Sequence, residues 1–447
     1  GGGHGLHRCV GVDGHGSRGG SALGQAGGKK DINIALLGAG AQGQVLMNAI
    51  FKLGRNSGIK FRAVCDIWEK GNLRRVSRTL KAYGRLGHKG TAYVDYQEML
   101  EKEKDLDAVL VATPDFWHAE HTIACFEKGL HVYCEKEMSN SLAAAKNMVL
   151  AGRKAGKLLQ IGHQRRSNPR YIYCNDKVIK EANLLNRITN ISGQWHRSRA
   201  GCVDLGWPDG TEIPKETLKK FGFDDMPQFR NWRWYKGLGG GPIVDLGSHQ
   251  IDVYSWFLDN ALPTSVMASG GVDYWKDHEW YDNAIAIFEF PTKKGLVRAS
   301  YETLTTNSSN GYYELFMGDE GTLLISESAG RGELYRESWV EEAKWDPWVQ
   351  KGLINLEKAS AKAEVKAGDD EVDVRESATP ALYRMPIEMK DPYHQPHLVN
   401  FVESVRGNQT LNCPGEIGYE TAVMVLKVNE AIAAARKIEL KPEDFKV

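Results

Sequence analysis

An apolar strand at 32–37 runs directly into Gly38-Ala39-Gly40-Ala41-Gln42-Gly43, which opens an amphipathic helix at 41–53. That order allows few folds. Glycines at these three positions permit a tight turn, close approach of a pyrophosphate and packing of the strand on the helix, whose N-terminus presents unpaired N–H groups to the phosphates. A second apolar strand, 61–65, ends at Asp66, about 20 residues beyond the last glycine, where a carboxylate accepts hydrogen bonds from an adenosine ribose 2′-hydroxyl. An acid at that point favours NAD over NADP, whose 2′-phosphate would meet like charge.

The alternation continues with strands at 107–113 and 131–134, separated by a helix at 118–128. A helix from Ser139 to about Ala155 follows, ended by Gly156, and then a strand at 158–161. Strands alternating with helices predict a doubly wound, mainly parallel sheet. Ligands bind beyond the carboxyl ends of such strands. The loops carrying Thr113, Pro114, Trp117 and His118, and Glu135 with Lys136, should therefore border the nicotinamide end of the dinucleotide.

After about Gln164 the texture changes. Pro169 opens a helix to about Lys180, a strand follows at 188–196, and a polar, tryptophan-rich loop spans 201–235. Beyond it, strands at 265–272, 283–290, 296–304, 312–317, 322–326 and 333–335 are joined by short turns, which predicts a largely antiparallel sheet. Residues 341–390 are charged and weakly patterned, and read as a surface excursion with little core of its own. Helices at 396–405 and 419–435 close the chain. The domains expected are 30–165 for the dinucleotide and 166–440 for substrate binding and oligomerisation, preceded by an arm at 1–29.

That arm holds twelve glycines within residues 1–28 and the chain begins without methionine, as a processed end or leftover expression sequence would. Such a segment is expected to be disordered alone, and a partner subunit could hold it. The compartment is left open: cytoplasmic by default, periplasmic if an export signal preceded the arm. Lysine plus arginine equal aspartate plus glutamate at 57 each, so nothing points to nucleic acid or an anionic membrane as partner. Seven cysteines without a CxxC pair indicate neither a zinc knuckle nor a disulfide framework. They are expected to be buried thiols.

The chemistry is expected in Gly239-Gly240-Gly241-Pro242-Ile243-Val244-Asp245-Leu246-Gly247-Ser248-His249, which runs on into an apolar helix. Asp245 and His249 are spaced i,i+4 and share one face if the segment is helical. The glycines let backbone approach a ligand, and the apolar run anchors the helix. The competing reading is a surface helix whose first turn these two residues cap and solvate.

GAGAQG, TPDFWHAEH, the strand into CEK and GGGPIVDLGSHQID, in that order, resemble the glucose-fructose oxidoreductase, inositol dehydrogenase and rhizopine catabolism family, written Gfo/Idh/MocA. The resemblance covers Lys30 to about Ile438. It implies a Rossmann domain followed by an α+β domain with a large open-faced sheet that supports homo-oligomers. The family's catalytic lysine falls on Lys136, and its aspartate and histidine on Asp245 and His249. Its usual proline after that lysine is replaced by Glu137, and a non-proline peptide is expected to be trans.

In such a site neutral His249 would accept the proton of a secondary carbinol. Asp245 would orient its ring or bind a neighbouring hydroxyl, and Lys136 would steady the developing alkoxide. Gln164 should border the cofactor. Arg166, Arg233 and Trp234 are candidates for the substrate side, with Arg165, Arg230, Trp232 and Tyr235 close by, since tryptophan faces suit sugar rings and arginine forks suit hydroxyls. Packing between domains is the competing reading for each. His118 and His121 share a helical face but lack a third ligand, so no metal is expected. The leading expectation is an NAD-dependent oxidoreductase of a sugar, polyol or glycoside. The alternatives are a glycoside hydrolase recycling tightly held NAD through oxidation, elimination, water addition and re-reduction, and a non-catalytic sugar or NAD sensor.

Overall fold

The computed structural model describes residues 29–328, 330–361 and 376–447; the arm up to residue 28, Cys9 included, lies outside them. Six parallel strands form the first sheet: β1 (Ile32–Leu37), β2 (Ile59–Cys65), β3 (Thr91–Tyr93), β4 (Ala108–Val111), β5 (His131–Cys134) and β6 (Leu159–Ile161). Their order, β3-β2-β1-β4-β5-β6, is that of a Rossmann domain. Every residue of β4 is buried, as expected of a parallel strand covered on both faces. On one face Ile34, Leu36, Phe61 and Leu110 pack with the helix Gln395–Val405 through Leu398 and Phe401. The chain therefore returns from its second domain to close the first.

The second sheet has ten strands: β7 (Ile188–His196), β8 (Ser265–Gly271), β9 (Asn283–Thr292), β10 (Gly295–Leu304), β11 (Tyr312–Gly318), β12 (Gly321–Ile325), β13 (Gly332–Arg336), β14 (Asn355–Lys358), β15 (Ala381–Arg384) and β16 (Ile438–Glu439). They lie in the order β14-β15-β13-β12-β11-β7-β10-β9-β8-β16, antiparallel except where β7 meets β10. Alternation along β9 puts Ala284, Ala286, Phe288 and Phe290 in the core and leaves Ile285 and Ile287 exposed. One face is thus open. Among the described residues no helix is long and apolar enough to cross a membrane. All six described cysteines are free and buried.

One expectation fails in part. The charged stretch 341–390 does contribute core, because its few apolar residues are placed to do so: the helix Glu342–Gln350 seats Trp345 with 0% exposure against Tyr383 of β15, and Ile354 is equally buried. Its strands β14 and β15 extend the sheet at one edge. Residues 362–375 of this stretch lie outside the described residues.

The two domains are joined by a buried ion pair. Arg166, just beyond β6, donates from Nε and Nη2 to the two carboxylate oxygens of Asp252 at 2.8 and 2.9 Å, and Thr421 Oγ1 donates to Oδ1 at 2.7 Å. Asp252 sits on the helix Ser248–Phe257, so this pair fixes that helix to the end of the Rossmann sheet. Asp252→Ala would leave the arginine buried and uncompensated, and should lower the unfolding free energy measured by urea titration by about 3–5 kcal/mol.

Candidate active site

The glycine loop has the shape a dinucleotide requires. Gly38 has φ +97°, and a Cβ there would lie 2.5 Å from the Ala112 carbonyl oxygen; one on Gly43 would run into the Gly38 carbonyl. At Gly40 the nearest neighbour of a Cβ is Asn72 Nδ2 at 3.8 Å, leaving room for a phosphate. No side chain caps the helix Ala41–Phe51, so the N–H groups of Ala41, Gln42 and Gly43 are open to one. Asp66 accepts from the backbone N–H of Ala39 and of Trp68, each at 2.8 Å. Burial raises its carboxyl above the usual range and these bonds oppose the rise. Gly38, Gly40, Ala41, Gln42, Asp66, Thr113, Pro114, Trp117, Glu135 and Lys136 all line one cleft.

The other wall of that cleft comes from the second domain, through Leu205, Phe221, Phe223, Phe229, Arg230, Trp232 and Arg233. Trp68 Nε1 donates to the Thr211 carbonyl at 2.6 Å and Trp117 Nε1 to that of Phe221 at 2.8 Å. Arg230 lies 4.7 Å over the Trp68 ring. Arg230 and Trp232, expected near the substrate, thus face the cofactor cleft. Trp234 lines an adjoining cavity with Arg197, Gly239, Asp245 and His278, its ring stacked on His278 at 4.1 Å. Arg233 and Asp115 border both spaces.

At that junction Lys136 Nζ donates to the Asp245 carbonyl and lies 3.7 Å from its Oδ1, with Arg233 at 3.3 Å and Arg197 at 3.9 Å. Burial pushes the Asp245 carboxyl up, but Arg233, Lys136 and Arg197 outweigh it and hold the group well below the ordinary carboxylate range. The segment is a wider, π-type turn at Ile243–Gly247 before the regular helix Ser248–Phe257. Asp245 makes no hydrogen bond to His249; the three cations take its carboxylate instead, which corrects the ring-orienting role. His249 is buried, 5.8 Å from the Trp195 ring, and burial, then Lys136, Arg165 and His163, depress its basicity well below the usual imidazole value. It is neutral at physiological pH. The Lys136-Glu137 peptide is cis, against expectation, with the Glu137 carbonyl held by His118 Nδ1 at 2.7 Å.

Family models match in both domains: an oxidoreductase family with an NAD-binding Rossmann fold over residues 32–163, and the GFO/IDH/MocA C-terminal domain over 219–324. Myo-inositol 2-dehydrogenase of Thermotoga maritima is 37% identical over 274 residues, 57% of this chain and 72% of that protein. The chain belongs to the Gfo/Idh/MocA family. D-glucoside 3-dehydrogenase of Escherichia coli is 27% identical over 53% of this chain and 57% of its own length. The first three curated relatives are matched over 43 to 59% of their lengths, so the chain spans about half of each. WlbA dehydrogenase of Bordetella pertussis, solved with NADH and UDP-GlcNAcA, shares the fold at a TM-score of 0.62 and 18% identity, covering 92% of this chain and 98% of that one.

The Gfo/Idh/MocA cleft leaves several expected residues aside. His118 is buried between the Glu137 and Thr113 carbonyls and does not line the cleft, whereas His121 does line it while its Nδ1 is bonded to Thr113 Oγ1 at 2.9 Å. Gln164 points its amide at Glu327, and the Arg166 guanidinium belongs to Asp252. Gln42 keeps its place in the cleft while its Nε2 lies 3.0 Å from both Glu135 Oε1 and His394 Nε2. Sequence reasoning missed Phe221, Phe223 and Phe229, which have no periodic pattern, and Asp115, hidden within a motif that drew attention to its neighbours.

Asp115 is 4% exposed, and burial, then repulsion from Asp245, raises its carboxyl to about 7 against Arg233, Lys136 and the Gly240 backbone. A carboxyl raised in the fold contributes stability that is full below its unfolded value of 3.8 and is lost as pH climbs through 7. Asn cannot ionise. Urea titrations of Asp115→Asn against wild type should therefore show the variant gaining relative stability from pH 4 to 7, by at most about 4 kcal/mol, and no further change above.

Proposed function

We propose that this protein is an NAD-dependent oxidoreductase passing a hydride between nicotinamide and a secondary alcohol of a sugar, polyol or glycoside. The observation that carries this reading is the meeting of Lys136 and Asp245 where the dinucleotide cleft adjoins a second cavity, with neutral His249 one turn further along the chain. The names of the inositol and glucoside dehydrogenases among its relatives support a cyclic polyol or pyranoside as substrate. Nothing in the comparisons favours the glycosidase reading.

Bound NAD would be held by Gly38, Gly40, Ala41, Gln42, Gly43 and Asp66, and its nicotinamide would supply the hydride acceptor. The protein's part is proton handling and charge. An imidazole neutral at working pH can accept the carbinol proton. Only one of the three Lys136 ammonium donors is taken by the Asp245 carbonyl, so the others are free to meet the substrate oxygen as it gains negative charge. Asp245, kept ionised by its three cations, positions Lys136. Self-association through the open sheet belongs to the same reading: Met267 of β8 lies opposite Ile287 of β9, exposed by 47% and 38%.

The test is formation of NADH absorbance from NAD with a panel of polyols and methyl glycosides. Where turnover is found, His249→Ala should reduce it by about two to four orders of magnitude. Near-normal turnover would reject the base, and no NADH with any carbohydrate would reject the activity.

A further inference from the structure

His163 stands two residues beyond the end of β6, and the sheet register shows what that places it beside. Val111, Cys134 and Ile161 are partners that end β4, β5 and β6, so Thr113, Lys136 and His163 each stand two residues past the carboxyl end of one of three neighbouring strands, His163 through a tight turn in which its N–H donates to the Ile161 carbonyl at 2.7 Å. Parallel strands lie about 4.8 Å apart, and ligands of such sheets bind beyond these ends. His163 thus stands on the same rim of the sheet as Thr113 and Lys136.

Its hydrogen bonding sets it apart from the structural histidines nearby. His118 has one ring nitrogen on the Glu137 carbonyl and the other on that of Thr113, at 2.7 and 2.6 Å; His397 has Ser167 Oγ at 2.6 Å and the Ile161 carbonyl at 2.8 Å. His163 is 1% exposed, and neither of its ring nitrogens has a partner among the described residues. An imidazole so buried, with a donor and an acceptor both unused, is costly unless a ligand completes it. Arg165 and Arg166 do not compete for it, being committed to Glu314 with Glu327 and to Asp252. His249 Nδ1 is likewise unpartnered.

Building on the oxidoreductase reading, we propose that His163 is a substrate-binding residue, whose ring nitrogens take the hydroxyl vicinal to the reacting carbinol, beside Lys136. His249 and His163 would then address the two oxygens of one vicinal diol, a chemistry that cyclic polyols and pyranosides offer and simple secondary alcohols do not.

His163→Phe keeps the ring volume and removes both nitrogens, while His163→Gln restores a donor and an acceptor. On a cyclic polyol or methyl glycoside that the wild type oxidises, His163→Phe should lose about 10- to 100-fold in kcat/KM, with His163→Gln recovering part of it. The affinity for NADH, read by its fluorescence, should stay within about twofold of wild type, and the polyol-induced change in that fluorescence should require correspondingly more polyol. The loss should vanish on the deoxy analogue lacking the vicinal hydroxyl. Equal kcat/KM for His163→Phe and wild type, or an equal loss on the deoxy analogue, would overturn the assignment while leaving the oxidoreductase reading intact. If His163→Phe shows no cooperative melt, His163→Gln decides alone, by equal or reduced kcat/KM. A wild type that oxidises no carbohydrate would take down the underlying reading and this one with it.

Discussion

The site depends on one buried carboxylate surrounded by cations. Asp245 comes from the second domain and Lys136 from the end of a Rossmann strand, with Arg233 and Arg197 completing the shell. Asp245 and Lys136 are largely withdrawn from solvent while Arg197 and Arg233 reach out to it, so the two inner charges depend most on one another. The arrangement holds only if both domains keep their places to within a hydrogen bond. The Arg166–Asp252 pair, about two turns further along the chain in the helix Ser248–Phe257, provides that constraint, as does the helix Gln395–Val405 folded back on the first sheet.

The same shell sets the state of the histidine. Asp245, taken up by three cations, lends His249 no compensating negative charge, and the residues that do face the ring, Lys136 and Arg165, are positive. An imidazole in that field stays neutral and can accept a proton. Trp195 of β7, itself stacked on Tyr312 at 4.4 Å, lies beside the ring and limits its rotation. Sheet, helix and charge shell thus converge on one neutral imidazole.

Most strands of both sheets were legible from the sequence because they are apolar or alternate cleanly between turns, whereas β3, β14, β15 and β16, short and without such a pattern, were not. The glycine loop and Asp66 were legible because few structures need those residues in that order. Less was readable where residues act through distant partners. Arg166 sits in a row of polar residues that reads as substrate contact, and its partner Asp252 is 86 positions away. Trp345 and Ile354 lie singly among charged residues, so no period betrays a core. Asp245 and His249 stood out by their spacing, but of the two roles expected for Asp245 the ring-orienting one is not met, since spacing says nothing of the cations that other elements bring. The residue after Lys136 shows the same limit: replacing proline by Glu137 left the peptide cis, within a pocket built by His118 and its neighbours.

The aromatic segment between β7 and the turn Ile243–Gly247 physically joins the dinucleotide cleft to the adjoining cavity. Phe221, Phe223, Phe229 and Arg230 form a wall of the dinucleotide cleft, and Trp234, only four residues beyond Arg230, faces the adjoining cavity through its stack on His278. Arg233, between them, contacts both spaces and bonds Asp245. Movement of this segment therefore cannot open one space without disturbing the other, and it would also withdraw a cation from the buried carboxylate. A dinucleotide in the cleft would thus bear on the same stretch of chain that brings Arg233 to Asp245.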